Sequence, residues 1–178
     1  LITGTQNKIY TICLNFREGS FMSATSLHSQ NHVSLKWKKL HPAAELPKLA
    51  SAGAAAFDLK AAMDAPLTIH PGEVTLVPTG LAVEIPVGYE LQLRARSGLA
   101  AKFGFTLVNG VGTIDSDYRG EIKVISTVLA KEPLVIQPGD RIAQGLIAQV
   151  IPVLHVEVTD LSSTERGEGG FGSTGVRG

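Results

Sequence analysis

Short apolar segments, parted by Gly- and Pro-containing turns about every ten residues, constrain this chain more than any other feature. Val33, Leu35 and Trp37 alternate with Ser34, Lys36 and Lys38, which is the period-two pattern of a half-buried strand. A loop runs from His41-Pro42 to Pro47, and a small-residue run from Ala50 ends in Phe57-Asp58-Leu59. Leu67-Thr68-Ile69 then precedes Pro71-Gly72, and Val74 to Pro78 runs up to Thr79-Gly80. Leu81 to Ile85 stops at Pro86-Val87-Gly88, and Tyr89 to Arg94 alternates again. Glu121 to Leu129 is the longest strand candidate before the last third of the chain. Leu134-Val135-Ile136 leads to Pro138-Gly139, and Arg141 to Val150 and Val153 to Val158 read as the last strands, parted by Pro152. Helical periodicity is sustained nowhere; Ser97 to Lys102 is the best short helix. The pattern predicts an all-β sandwich, barrel or jelly roll.

At 178 residues the chain is large enough for one sizeable core. Its 16 basic and 16 acidic residues cancel, so bulk attraction to nucleic acid or an anionic membrane is not expected. Polyanion binding then requires a few placed cations. Cys13 is the single cysteine, which excludes an internal disulfide and a cysteine metal site. No apolar run reaches the roughly 18 residues of a membrane span. A reducing, cytoplasmic setting is expected, with neither nucleic acid nor membrane as partner. Residues 1–31 are expected to be poorly ordered, as a leader or appended segment; Met22-Ser23-Ala24 reads like a natural start, and residues 1–21 lack a signal-peptide layout. The β domain is expected over 32–161 and a Gly-rich tail over 162–178. By composition that tail is disordered, yet it carries Phe171, which a pure linker does not need.

Several polar clusters stand out of the β background. Asn109-Gly110-Val111-Gly112-Thr113-Ile114-Asp115-Ser116-Asp117-Tyr118-Arg119-Gly120 reads as a Gly-rich hairpin. Its glycines permit tight turns and close approach of a ligand. Asp115 is a carboxylate able to take a proton from water, and Tyr118 offers a flat face with a polar tip. Arg96-Ser97-Gly98 supplies a guanidinium, a hydroxyl and amides at a turn that opens a short helix, groups that suit phosphate. Asp140-Arg141-Ile142-Ala143-Gln144 begins a strand with polar residues interspersed. Gly167-Glu168-Gly169-Gly170-Phe171-Gly172 matches G-x-G-x-x-G literally, but it neither follows a βαβ strand nor opens a helix, so the dinucleotide reading fails. His28 and His32, spaced i, i+4, sit in the amino segment and suggest no metal site.

In their order these clusters resemble the five motifs of the trimeric dUTPase family. They are Ala55-Ala56-Phe57-Asp58-Leu59, Arg96-Ser97-Gly98-Leu99-Ala100, Gly112 to Gly120, Gly139-Asp140-Arg141-Ile142-Ala143-Gln144, and Arg166 to Gly175. Five motifs in order over residues 33–175 are far more specific than any one of them. The resemblance implies a jelly-roll-like, β-clip subunit and a homotrimer with three sites at subunit interfaces, closed by flexible carboxyl-terminal arms. It implies hydrolysis of dUTP to dUMP and pyrophosphate with Mg²⁺.

By that resemblance Asp115 activates the water that attacks the α-phosphorus in line. Arg96, Ser97, Gly98 and Gln144 hold phosphates, and Arg166, Gly172, Ser173 and Thr174 close over the β and γ groups. Mg²⁺ is held mainly by the phosphates and water, with Asp58 at most an outer-shell partner. Asn109, Gly112, Thr113 and Ile114 read uracil; cytosine leaves their polar groups unpaired, a mismatch worth a factor of ~10⁴. Tyr118 lies under the deoxyribose and leaves no room for a 2′-hydroxyl, while Phe171 stacks on the base. Ala56 and Ala95 stand where the family usually has Gly and Pro, which bears on backbone shape. A dCTP deaminase on the same fold is the nearest competitor, but it needs an acid on the strand after the hairpin, where Lys123-Val124-Ile125-Ser126 has none. A β-sandwich binding protein without catalysis is the third reading, opposed by the presence of Asp115, Tyr118, Gln144 and Arg166.

Overall fold

A computed structural model describes residues 32–170. The expected leader at 1–31, and Phe171, Gly172, Ser173 and Thr174 of the arm, lie outside the described residues. Within them the chain forms, in order, β1 (Lys36–Lys39), β2 (Phe57–Lys60), β3 (Leu67–Ile69), β4 (Thr75–Pro78), β5 (Leu81–Glu84) and β6 (Tyr89–Arg94). Then follow α1 (Ser97–Phe103), β7 (Phe105–Leu107), β8 (Gly112–Ile114), β9 (Lys123–Val128), β10 (Leu134–Ile136) and β11 (Arg141–Gln149). Among the described residues the fold is therefore mostly β with one short helix, as the turn spacing predicts. β7 escapes the turn-to-turn reading because it follows the helix after the single residue Gly104, with no turn cluster to mark its start.

Four antiparallel groups share one core. The largest sheet has the order β2-β11-β6-β8, and a second has the order β4-β9-β7. β1 pairs with β5, and β3 with β10. Leu59, Ile69, Leu91, Phe105, Ile122, Val124 and Ile142 from these groups are fully buried against one another. Trp37 caps one side and meets Phe57 edge to face, with ring centroids 5.8 Å apart. Thr79, buried among apolar neighbours, is satisfied because its hydroxyl donates to Ile122 O at 2.6 Å.

The β4–β5 turn shows how closely the chain is packed. Gly80 has φ +62°, and a Cβ there would lie 2.7 Å from the His41 Cβ and 2.9 Å from the Ala62 Cβ. Both the left-handed backbone and the space demand glycine. The helix ends in the same way at Gly104, φ +63°, whose amide donates to Ala100 O and Leu99 O.

Two expectations change. Val153 to Val158 does not form a strand: the ladder ends at Gln149, and residues 150–158 run without a sheet partner among the described residues. Ile151, Val153, Leu154, Val156 and Val158 are all exposed. A strand needs an edge to bond to, and none within this subunit is used. The stretch from Asn109 to Ile122 is also not a simple hairpin. Its first strand, β8, pairs with β6, whereas β9 pairs with β4 and β7. The loop between them crosses from one sheet to the other.

Candidate active site

That crossing creates a cleft. Where the two sheets part, Leu93, Gly112, Thr113 and Ile114 line one wall, and Leu76, Lys123 and Ile125 the other, around about 410 Å³. Asn109, Asp115, Tyr118 and Glu121 complete it from the loop. β8 is the last strand of its sheet, so its outer edge carries backbone N–H and C=O groups without a strand partner. Such an edge can read the hydrogen-bonding face of a flat ring.

Local geometry explains each glycine. Gly110 turns the chain with φ +70°, and its amide donates to Leu107 O at 3.1 Å. Gly112 is tight: a Cβ would lie 3.1 Å from the Leu93 Cβ and 3.2 Å from the Asn109 Nδ2. The backbone can approach a ligand there because nothing projects. Asp115 is exposed, and among the described residues nothing bonds its carboxylate, which leaves both oxygens available to a water. Its carbonyl accepts the Tyr118 amide at 3.2 Å.

A second hollow, of about 450 Å³, is lined by Ala54 to Ala56, Asp58, Arg94, Arg96, Ser97, Gly98, Arg141, Gln144 and Leu146. Asp58 is its anchor. One carboxylate oxygen accepts Arg96 Nε at 2.8 Å and the other Arg141 Nη1 at 3.2 Å. Arg96 also donates to Arg141 O at 2.9 Å, and Gln144 Nε2 donates to Ala95 O at 2.9 Å. Three guanidiniums against one carboxylate leave the hollow cationic, so it suits an anionic ligand. Both Asp58 oxygens are occupied by arginine, which does not fit a direct metal ligand. Among the described residues no group of three or more His, Cys, Asp or Glu could hold a metal ion.

Arg141 is the site residue that period-two reading misses. In a regular strand it would face away from Gln144. The β11–β2 register shifts between Arg141 and Ala143, however, and the extra residue turns Arg141 and Gln144 to the same hollow. A bulge of this kind has no composition signature.

The two hollows share no residue, and along β6 they take alternate side chains. Leu93 lines the cleft while its neighbour Arg94 lines the arginine hollow, and successive strand residues point to opposite faces. Arg96, Ser97, Gly98 and Gln144 thus gather in one place, with Asp58, while Asn109, Gly112, Thr113, Ile114, Asp115 and Tyr118 gather in the other. Arg166 lines neither; its Nε donates to Gly169 O at 2.6 Å in an exposed turn.

An unpartnered strand edge beside an unbonded carboxylate, with a separate cationic hollow, suits an all-β protein that handles an anionic ligand with a flat ring. The dUTPase family model matches residues 43–175. The deoxyuridine 5′-triphosphate nucleotidohydrolase of Rhizobium etli is 57% identical over 134 residues, covering 74% of this chain and 86% of that protein. That of Neorickettsia sennetsu is 53% identical over 132 residues, covering 74% and 89%. Among solved structures, the Staphylococcus bacteriophage 80alpha dUTPase with dUPNHPP superimposes with TM-score 0.69 at 27% identity, covering 80% of this chain and 99% of that one. The chain belongs to the dUTPase family. A mutant dUTPase from phage phi11 of S. aureus shares the fold, with TM-score 0.64 at 23% identity over 71% of this chain and 97% of that one, and is described with a structural Mg(II) ion.

Proposed function

We propose that this protein hydrolyses dUTP to dUMP and pyrophosphate, keeping uracil out of DNA and supplying dUMP. The cleft carries the reading: an unpartnered strand edge for uracil lies beside an unbonded carboxylate for water. Asp115 orients the water and takes its proton as the oxygen attacks the α-phosphorus. Bond making there is mostly a matter of position and charge. The β8 edge with Asn109 accepts from uracil N3–H and donates to O4. Tyr118 gates the sugar. Arg96, Ser97, Gly98 and Gln144 hold the phosphates.

Magnesium ion would be held mainly by the substrate's phosphates and water, with Asp58 at most an outer-shell partner, and would neutralise phosphate charge. Asp58 acts mainly by fixing Arg96 and Arg141. Asp58→Ala is expected to lower kcat/KM by up to roughly 100-fold through misplaced guanidiniums, with thermal unfolding little changed. Steady-state kinetics beside a melting curve checks this.

The assembly proposed is a homotrimer. The cleft and the arginine hollow share no residue, which supports a site in which one nucleotide draws on two subunits. The exposed valines of residues 150–158 also want an apolar partner surface. The arm 162–178, with Arg166, Phe171, Gly172, Ser173 and Thr174, closes over the nucleotide. Sedimentation should give a trimer; a fully active monomer would contradict the arrangement. Among the described residues no helix is long and apolar enough to cross a membrane.

Purified protein incubated with dUTP, dCTP and dTTP tests the activity. Pyrophosphate from dUTP alone is expected. Ammonia from dCTP would point instead to a deaminase, and no product to a binding protein.

A further inference from the structure

Gly120 has no part in the chemistry described above, yet its surroundings are specific. The Tyr118 ring folds back over it. A Cβ on Gly120 would lie 2.9 Å from Tyr118 Cε2 and closer still to Cζ and Oη. Gly120 is not in the left-handed region, so its backbone is open to any residue. What demands glycine there is the space taken by the ring.

The ring is held at three points. The backbone amide of Tyr118 donates to Asp115 O at 3.2 Å, its hydroxyl donates to Glu121 O at 3.0 Å, and the hydroxyl end of the ring lies over Gly120. Glu121 is itself fixed, because its carboxylate accepts the Gly80 amide at 3.0 Å. Arg119 braces the loop from outside, donating to Ser116 O at 2.7 Å and Tyr118 O at 2.9 Å. Ring, glycine and Glu121 thus form one unit at the wall of the cleft.

We propose that Gly120 is a positioning residue for sugar selection, its bare Cα seating the Tyr118 ring against the sugar side of the cleft. This rests on the reading of Tyr118 as the sugar gate. The atoms that a Cβ would meet belong to the far end of a side chain. Adding one therefore moves the ring and breaks its bond to Glu121 O, while the backbone stays in place. A displaced ring no longer closes the space a 2′-hydroxyl needs.

The test is a double-mutant cycle on the full chain, read as kcat/KM for dUTP over that for UTP. Gly120→Ala is expected to lower this preference by roughly tenfold or more, while Tyr118→Ala/Gly120→Ala is no worse than Tyr118→Ala alone. Tyr118→Phe, which removes only the hydroxyl bond, should relax it partway. An unchanged preference in Gly120→Ala, or an equal penalty with and without the ring, overturns the proposal. If Gly120→Ala fails to fold but the double variant folds, the ring is still identified as the collision partner; failure of both overturns it. Should Tyr118→Ala keep the full preference, the sugar-gate reading fails first and the role of Gly120 with it.

Discussion

Asp115→Asn is expected to cut dUTP turnover by roughly 10²- to 10⁴-fold while leaving nucleotide affinity and assembly intact. The amide has the shape of the carboxylate and can still accept one hydrogen bond from water. It cannot take the proton that must leave as the oxygen attacks. The substitution is safe for the fold because Asp115 is exposed and its side chain bonds nothing among the described residues. Only its carbonyl is structural, through the Tyr118 amide, and that is unchanged. Single-turnover kinetics together with binding of a non-hydrolysable dUTP analogue separates the two effects. Turnover near the wild-type value would remove Asp115 as the base.

Deleting residues 163–178 is expected to abolish most activity, by roughly 10²-fold or more, because closure over the nucleotide excludes water and completes the charge around the phosphates. The loss comprises the Arg166 guanidinium, the Phe171 ring and the Ser173 and Thr174 hydroxyls. Stability should be nearly untouched. Among the described residues every buried apolar side chain lies between Ala44 and Ala143, and none of residues 163–170 is among them. A melting curve and an assay on the same preparation decide the matter, and a fully active truncation would sink the arm's role.

The sequence was most legible where local chemistry dictates local shape. Pro71-Gly72, Thr79-Gly80, Pro86-Val87-Gly88 and Pro138-Gly139 mark real turns, and their glycines at 72, 80, 88 and 139 all have positive φ. Ser97 to Lys102 was legible as a helix, which extends one residue further to Phe103. Pairing was not legible. Nothing in Gly112-Thr113-Ile114 says that it bonds to β6 and not to the strand that follows it. The pairing with β6 reaches back across α1 and β7, and Gly112 allows it by leaving room for Leu93, 3.1 Å from where a Cβ would lie. The same holds for the Arg141 bulge, which brings a third guanidinium to the arginine hollow.

Residues 153–158 teach the complementary lesson. Leu154, Val156 and Val158 alternate with His155, Glu157 and Thr159, which announces a strand, and among the described residues it is left unpaired. The pattern states that an edge is needed without stating whose. Likewise, Asp115 and Arg96 can both be picked out from their motifs, yet the motifs do not say that within this subunit the two line separate hollows that share no residue.

That separation can be tested by mixing two inactive proteins. Asp115→Asn retains the arginine hollow, and Arg96→Ala retains the carboxylate. Co-refolded in equal amounts into mixed trimers, they should recover about one quarter of wild-type dUTP hydrolysis, since a site drawing on two neighbours is intact when each supplies its good half. If both residues act within one subunit, every site keeps a defect, and the mixture will be as inactive as its parents.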